Sequence, residues 1–506
     1  MEALKKLLAA LDGTLLAGVR RGIEKESLRT RPDGALALTP HPQALGSPLT
    51  HPHITTDYSE SQLELITGAR TGVDEMLEEL AHIHQAVYAA IGDEILWGAS
   101  MPCALPRDEE IPLGRYGTSN VGRAKTVYRM GLGYRYGRRM QTISGIHYNW
   151  SLPGRSSEEY FALVRNFRRN AWLLFYLFGA SPAVCETFVK GHPGHGLQPL
   201  APGTLHLPYA TSLRMGRLGY QSDAQSRLAV SYNSLAEYGA SLYDALVTPY
   251  APYEKIGLRD DKGEYRQLST SLLQIENEFY GKIRPKRTIR PGERPLYALR
   301  DRGVEYVEVR LMDLDPFSPL GISAPVCRFL DVFLLHCLLM PSAPDSPAEI
   351  ATMNRNQERV AARGREPGLV LQRAGRDLPM KDWGAELLAQ CAPIAERLDA
   401  VFGGAAYRDA VAGAAAALDD PESVPSARVL HAMQRNHGGS YLRFALAESL
   451  LHRGALAGRP LPAQVAEAYR ELARRSLAEQ RDLEASDRVD FETWRRQYLD
   501  PANLKI

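Results

Sequence analysis

Four short segments of this chain alternate with a period of two, and each gathers its ionisable or polar side chains on one face. Period-two alternation is the signature of a half-buried β-strand, because successive side chains point to opposite sides. In Gly22-Ile23-Glu24-Lys25-Glu26-Ser27-Leu28, Glu24 and Glu26 share a face. In Leu63-Glu64-Leu65-Ile66, Glu64 alternates with leucines and follows Asp57 of Thr55-Thr56-Asp57-Tyr58. In Gly145-Ile146-His147-Tyr148-Asn149-Trp150-Ser151, His147 and Asn149 lie opposite Ile146, Tyr148 and Trp150. In Val304-Glu305-Tyr306-Val307-Glu308-Val309-Arg310, Glu308 and Arg310 lie opposite Val307 and Val309. Taken singly, each segment reads as an ordinary solvated sheet face; what matters is whether the four belong to one sheet.

The strand candidates do not alternate regularly with helices, so a parallel doubly wound sheet is excluded and an α+β fold with a mostly antiparallel sheet is expected. Up to about residue 380 short segments mix with turns such as Pro32-Asp33-Gly34 and Asp261-Lys262-Gly263. Beyond that Ala, Leu, Glu and Arg recur at helical spacing, and Val465, Tyr469, Leu472 and Ser476 fall on one face of a helix that Pro462 starts. The expected division is a main body over 1–385 and a helical region over 386–506 that packs on it.

Sixty basic against 59 acidic residues in 506 give a net charge of +1, which offers no surface for nucleic acid or membrane as the main partner. The most apolar run, Ala171 to Ala180, is about half the length of a membrane span and reads as a buried helix that stops near Ser181-Pro182. The N-terminus reads as an amphipathic helix with Leu4, Leu7, Leu8 and Leu11 along one side, not as a signal peptide. Cys103, Cys185, Cys327, Cys337 and Cys391 are odd in number and lack CxxC spacing. That argues against a disulfide framework, leaves buried inert thiols as the expectation, and fits a reducing cytoplasm.

No GxxxxGK[ST] loop is present. Gly117-Thr118-Ser119-Asn120-Val121-Gly122 misses its lysine, Gly131-Leu132-Gly133 lacks a third glycine, and both read as ordinary turns. Any phosphate must therefore be met by metals and by cations such as Arg310 and Arg284-Pro285-Lys286-Arg287.

The stretches RRGIEKESLR, HPQALGSPLTHPHITTDYSESQLELIT, YGTSN, MQTISGIHYNWSLP, YLFGASPAVC, LPYATSLR, LQIENEFY, IRPKR and YVEVR…DPFSP resemble, in the family's order, the proteobacterial class of glutamate–cysteine ligases. The resemblance implies a glutamine-synthetase-like catalytic domain, whose curved, mostly antiparallel sheet forms a carboxylate-lined funnel flanked by helices. If the strands above share that sheet, five carboxylates and one imidazole converge. So many like charges raise one another's pKa unless cations lie among them, and an oxygen-rich set with one imidazole suits Mg²⁺ or Mn²⁺.

By resemblance Glu24, Glu26, Asp57, Glu64, His147 and Glu308 hold the metals that carry ATP, and Arg310 meets the transferring phosphoryl group. Tyr128, Tyr220 and Tyr280 line the cysteine site, Arg214 anchors substrate, and Gln141 and Asn149 are further pocket residues. The implied reaction joins the γ-carboxyl of glutamate to the amine of cysteine, the first step of glutathione biosynthesis, in a cytoplasmic monomer whose partners are small molecules. Leu311 and Met312 follow Arg310 where the family usually has a small residue, which leaves the acceptor amine open. Two other readings stand beside this one: a sister ligase that uses another amine, and a non-catalytic glutamate- or nucleotide-binding protein.

Overall fold

Strand β1 (Arg20–Thr30) is the spine of the sheet. In the computed structural model, which describes residues 4, 6–8, 11–191, 194–219, 224, 228–290 and 292–504, five further strands extend the sheet on either side. These are β2 (Ile54–Thr56), β3 (Gln62–Ile66), β5 (Ile146–Ser151), β9 (Ile283–Lys286) and β10 (Tyr306–Met312). The order is β2-β3-β1-β5-β10-β9, every neighbour antiparallel. A short β4 (Ile95–Leu96) pairs with the end of β1, and β6 (Ala183–Cys185), β7 (Gln198–Ala201) and β8 (Thr204–His206) form a separate three-stranded sheet. This is the glutamine-synthetase-like α+β architecture expected from the sequence.

Register settles the faces. Glu24 pairs with His147, Glu26 with Glu64, and Glu308 with both Asn149 and Arg284. The opposite face buries Ile23, Leu63, Leu65, Ile146, Tyr148, Trp150, Val307 and Val309. Helices Val73–Tyr88, Ser157–Asn170 and Ala324–Leu339 belong to the same core. Each such buried aliphatic side chain stabilises the fold by about 1.5–3 kcal/mol relative to exposure. Leu311 and Met312, past a register shift in the β10–β5 pairing, are buried in this core.

The C-terminal helices complete the core. Residue 385 falls within helix Met380–Phe402, whose Trp383, Leu387, Ile394 and Leu398 join the apolar cluster that contains the sheet's core face. Helix Ala463–Ser486, started by Pro462, turns Ser476 inward, and Ser476 Oγ accepts from Ser47 N at 2.9 Å. Its Glu484 accepts from Thr118 N at 2.8 Å.

Three local expectations are corrected. Gly131 and Gly133 do not form a turn but lie inside helix Asn120–Tyr136, where a Cβ would overlap Gln274 and the Tyr58 hydroxyl respectively. Leu7 is exposed, while Leu4, Leu8 and Leu11 are buried. Cys103 and Cys185 form a disulfide, their Cα atoms 5.3 Å apart, while Cys327, Cys337 and Cys391 are free and buried. A pairing across 82 residues depends on a loop packing beside a distant strand, which spacing alone cannot reveal. No helix among the described residues is long and apolar enough to cross a membrane.

Several histidines are structural. Burial holds His41 and His452 down at about 4, and His452 Nε2 bonds the Pro316 carbonyl at 2.7 Å. Both imidazoles stay neutral in the fold and take up a proton, at about 6.5, once unfolded. The unfolded chain therefore binds more protons, and stability falls as pH drops from about 6.5 toward about 4. The expected result is a urea midpoint that declines across this window, with a shallower decline in His452→Gln; identical slopes would remove His452 from this account.

Candidate active site

One cavity of about 460 Å³ opens on the polar face of the sheet. It is lined by all six of the expected metal ligands, Glu24, Glu26, Asp57, Glu64, His147 and Glu308, and by Arg310, Arg214, Tyr128, Gln141 and Tyr280. Tyr220 lies outside the described residues. Asn149 does not line the cavity and reaches it through Glu24, donating Nδ2–H to Oε1 at 2.9 Å.

The carboxylates are set by strand register and by a small number of donors. His147 Nδ1 lies 3.0 Å from Glu24 Oε2, and its Nε2 lies 3.5 Å from Glu26 Oε1. Gly145 N donates to Glu26 Oε2 at 2.7 Å. Glu308 receives Arg310 at 2.9 Å and Lys286 at 3.1 Å.

Burial and crowding divide these acids. Burial, then the charge of Asp57, pushes Glu26 up to about 8. Burial together with Glu24, Asp57 and Glu26 raises Glu64 well above the usual carboxylate range. Glu24 is pushed up by burial but ends below its ordinary value because His147 hydrogen-bonds it. Glu308, also buried, is pulled well below by Lys286 and Arg310.

Burial and the Arg310 charge push His147 below its ordinary value, toward the neutral form that ligates a metal. Ligand atoms of Glu24, Glu64 and His147 lie within 4.8 Å of one another. Oxygen donors that cannot all ionise unaided, with one neutral imidazole among them, fit a hard divalent cation such as Mg²⁺ or Mn²⁺.

Arg214 is seated differently. Its NH2 donates to the Arg310 carbonyl at 2.9 Å, and its NH1 lies 3.6 Å from the buried Asp313. The guanidinium lies against Gly145, where a Cβ would overlap it. Gly145→Ala is therefore expected to displace Arg214 and lower turnover by about 10²-fold, the scale of a 1 Å misplacement; a fully active variant would show that Arg214 need not sit there.

Elsewhere in the cavity wall, Gln141 Nε2 lies 3.1 Å from the Tyr280 hydroxyl. Lys125, Tyr128, Arg129 and Leu132 form one face of helix Asn120–Tyr136, and all line the cavity. Sequence reasoning singled out Tyr128 alone, although helical spacing around it would have found the other three. Arg168 and Lys282, also in the wall, carried no local signal.

A carboxylate-lined antiparallel sheet with Arg310 beside Glu308 fits the glutamine-synthetase-like class of ATP-dependent carboxylate–amine ligases that the resemblance implies. The sequence profile of the glutamate-cysteine ligase family matches residues 4–360. The chain is 50% identical to glutamate–cysteine ligase of Pseudomonas entomophila over 97% of this chain and 95% of that one. It is 47% identical to that of Alcanivorax borkumensis over 98% and 99%. Glutamate–cysteine ligase from Francisella tularensis, solved with AMP, superposes with a TM-score of 0.91 at 37% identity, covering 96% of this chain and 98% of that one. A bifunctional glutathione synthetase from Pasteurella multocida gives 0.66 at 25% identity, with 99% of this chain matched to 57% of that longer one. The chain belongs to the glutamate–cysteine ligase family.

Proposed function

We propose that this protein joins the γ-carboxyl of L-glutamate to the amine of L-cysteine at the expense of ATP. The observation that carries this is one cavity in which the acidic face, Arg310 and the Tyr128–Gln141–Tyr280 wall meet. A carboxylate is a poor acyl donor because oxide is a poor leaving group. The γ-carboxylate oxygen of glutamate attacks the γ-phosphorus of ATP and ADP leaves. The cysteine nitrogen then attacks the acyl carbon, phosphate leaves with the C–O bonding pair, and the amine gives up its proton.

Mg²⁺ or Mn²⁺ held by Glu24, Glu26, Asp57, Glu64, His147 and Glu308 would neutralise the nucleotide phosphates. Arg310, fixed by Glu308, offers its remaining N–H groups to the phosphoryl oxygens as charge builds on them. Arg214 anchors glutamate, and the two tyrosines with Gln141 close around the acceptor and keep water from the acyl phosphate. Leu311 and Met312 are packed in the core and do not line the cavity, so they do not oppose cysteine as the acceptor. The reaction takes place in the cytoplasm and needs no second subunit.

The test is phosphate release from ATP with glutamate and Mg²⁺, with and without cysteine, 2-aminobutyrate and other amines, with mass spectrometry of the product. Cysteine stimulation with a γ-linked dipeptide supports the proposal. Stimulation by another amine alone moves it to a sister ligase, and no glutamate-dependent turnover by a folded, metal-binding protein ends the ligase reading. Chelation by EDTA is expected to abolish turnover, and added Mg²⁺ or Mn²⁺ to restore it.

A further inference from the structure

Edge strand β9 continues the cavity wall beyond Arg310. Arg284 and Lys286 on it, and Lys282 immediately before it, fall at alternate positions and all line the cavity. The pairing of Ile283 with Val309, and the hydrogen bond from Arg310 N to the Lys282 carbonyl at 2.9 Å, set Lys282 directly across from Arg310. Like charges opposite each other on one face of an antiparallel pair are destabilising.

The neighbouring cations are already served. Glu308 takes Lys286 at 3.1 Å, Arg310 at 2.9 Å and Arg284 at 4.0 Å. Arg284 also donates to the carbonyls of Asn277 and Phe279. Arg168 is paired with Asp345 at 2.7 Å and lies over the Tyr232 ring. Lys282 has no side-chain hydrogen bond or ion pair of this kind among the described residues. Glu358, the acid whose charge it feels, lies 3.8 Å from Arg217.

We infer that Lys282 binds an oxyanion of a substrate, a phosphoryl or carboxylate oxygen that lies between its ammonium and Arg310. The inference rests on the ligase reading above and adds a cation to it. Two cations facing each other are a local instability of the kind functional sites carry, and a substrate oxyanion bound between them would relieve it. Burial, with the Arg168 charge, lowers the ammonium to about 8, so most of it is still charged at neutral pH.

The experiment compares wild type, Lys282→Gln and Lys282→Arg in the full chain. It measures KM for ATP, glutamate and cysteine, and the melting temperature without ligand and with Mg²⁺ plus ADP or plus glutamate. Lys282→Gln is expected to raise one KM by about tenfold or more, the loss of one charge-assisted hydrogen bond. Lys282→Arg is expected to recover most of it, and the ligand-free melting temperature is expected to hold or rise as the repulsion is relieved. A rise for ATP alone places a phosphoryl oxygen there, and a rise for glutamate alone a carboxylate. Unchanged KM values overturn the inference, as does a lowered ligand-free melting temperature with all three KM values shifted alike, which marks a structural lysine. An inactive wild type defeats the ligase reading instead, so the two failures are distinguishable.

Discussion

Replacing Arg310 with alanine is expected to lower kcat by at least about 10²-fold while KM for glutamate changes far less. The guanidinium is half-buried in the cavity wall, 2.9 Å from Glu308 Oε2 and 3.4 Å from His147 Nδ1; burial lowers its pKa, but pairing with Glu308 leaves it raised. Held in this way it pays no reorganisation when charge develops on the phosphoryl oxygens, and that interaction is stronger in the transition state than in the ground state. Arg310→Lys should not recover the loss, because a single ammonium cannot keep the Glu308 contact and also reach the phosphoryl group in the same planar geometry. Retained binding of Mn²⁺ to the variant checks that the acidic face is intact. Turnover near the wild-type value would remove Arg310 from the phosphoryl-transfer role.

Asp331→Ala is expected to cost about 3–5 kcal/mol, because it strands a buried guanidinium. Asp331 lies on helix Ala324–Leu339 behind the sheet, and Arg21 approaches it at 2.8 Å with both side chains almost fully buried. Tyr148 donates to the same carboxylate at 2.8 Å, and Tyr407, from the helix Ala406–Asp419, at 3.3 Å. Four elements therefore share one carboxylate. Two of them are β1 and β5, whose other faces carry Glu24, Glu26 and His147. Tyr148→Phe removes one hydrogen bond and should cost nearer 1 kcal/mol. The double variant Arg21→Met/Asp331→Leu should recover much of the loss, since replacing both partners with apolar groups leaves no unpaired charge. Urea midpoints across the series decide the matter; an Asp331→Ala protein as stable as wild type would mean that solvent reaches Arg21.

Cys103, Lys282 and Leu311 show how differently residues advertise themselves. The face a strand residue occupies follows from its neighbours two positions away, so Glu24 with Glu26, and Glu308 with Arg310, were legible as pairs. Tyr128 was legible only through resemblance, yet helical spacing from it reaches Lys125, Arg129 and Leu132. Lys282 carries no such pattern: it precedes a four-residue strand, and its facing Arg310 is a consequence of register. Leu311 and Met312 looked like neighbours of Arg310, but alternation turns Leu311 to the opposite face, and the register shift between Val309 and Met312 breaks the alternation so that both are buried in the core.

By itself the sequence determined the α+β class, the faces on which Glu24, Glu26, Glu64, His147, Glu308 and Arg310 lie, the helical character of the C-terminal region and, through long collinear motifs, the family. These are local properties, set by steric alternation along a strand or periodicity along a helix. Only the tertiary structure decided that β10 lies beside β5, that Glu26 faces Glu64, that Asp313 and Gly145 seat Arg214, and that Cys103 meets Cys185. Those pairings join segments tens to hundreds of residues apart, and burial of the shared apolar face, a sum over the whole chain, selects among them.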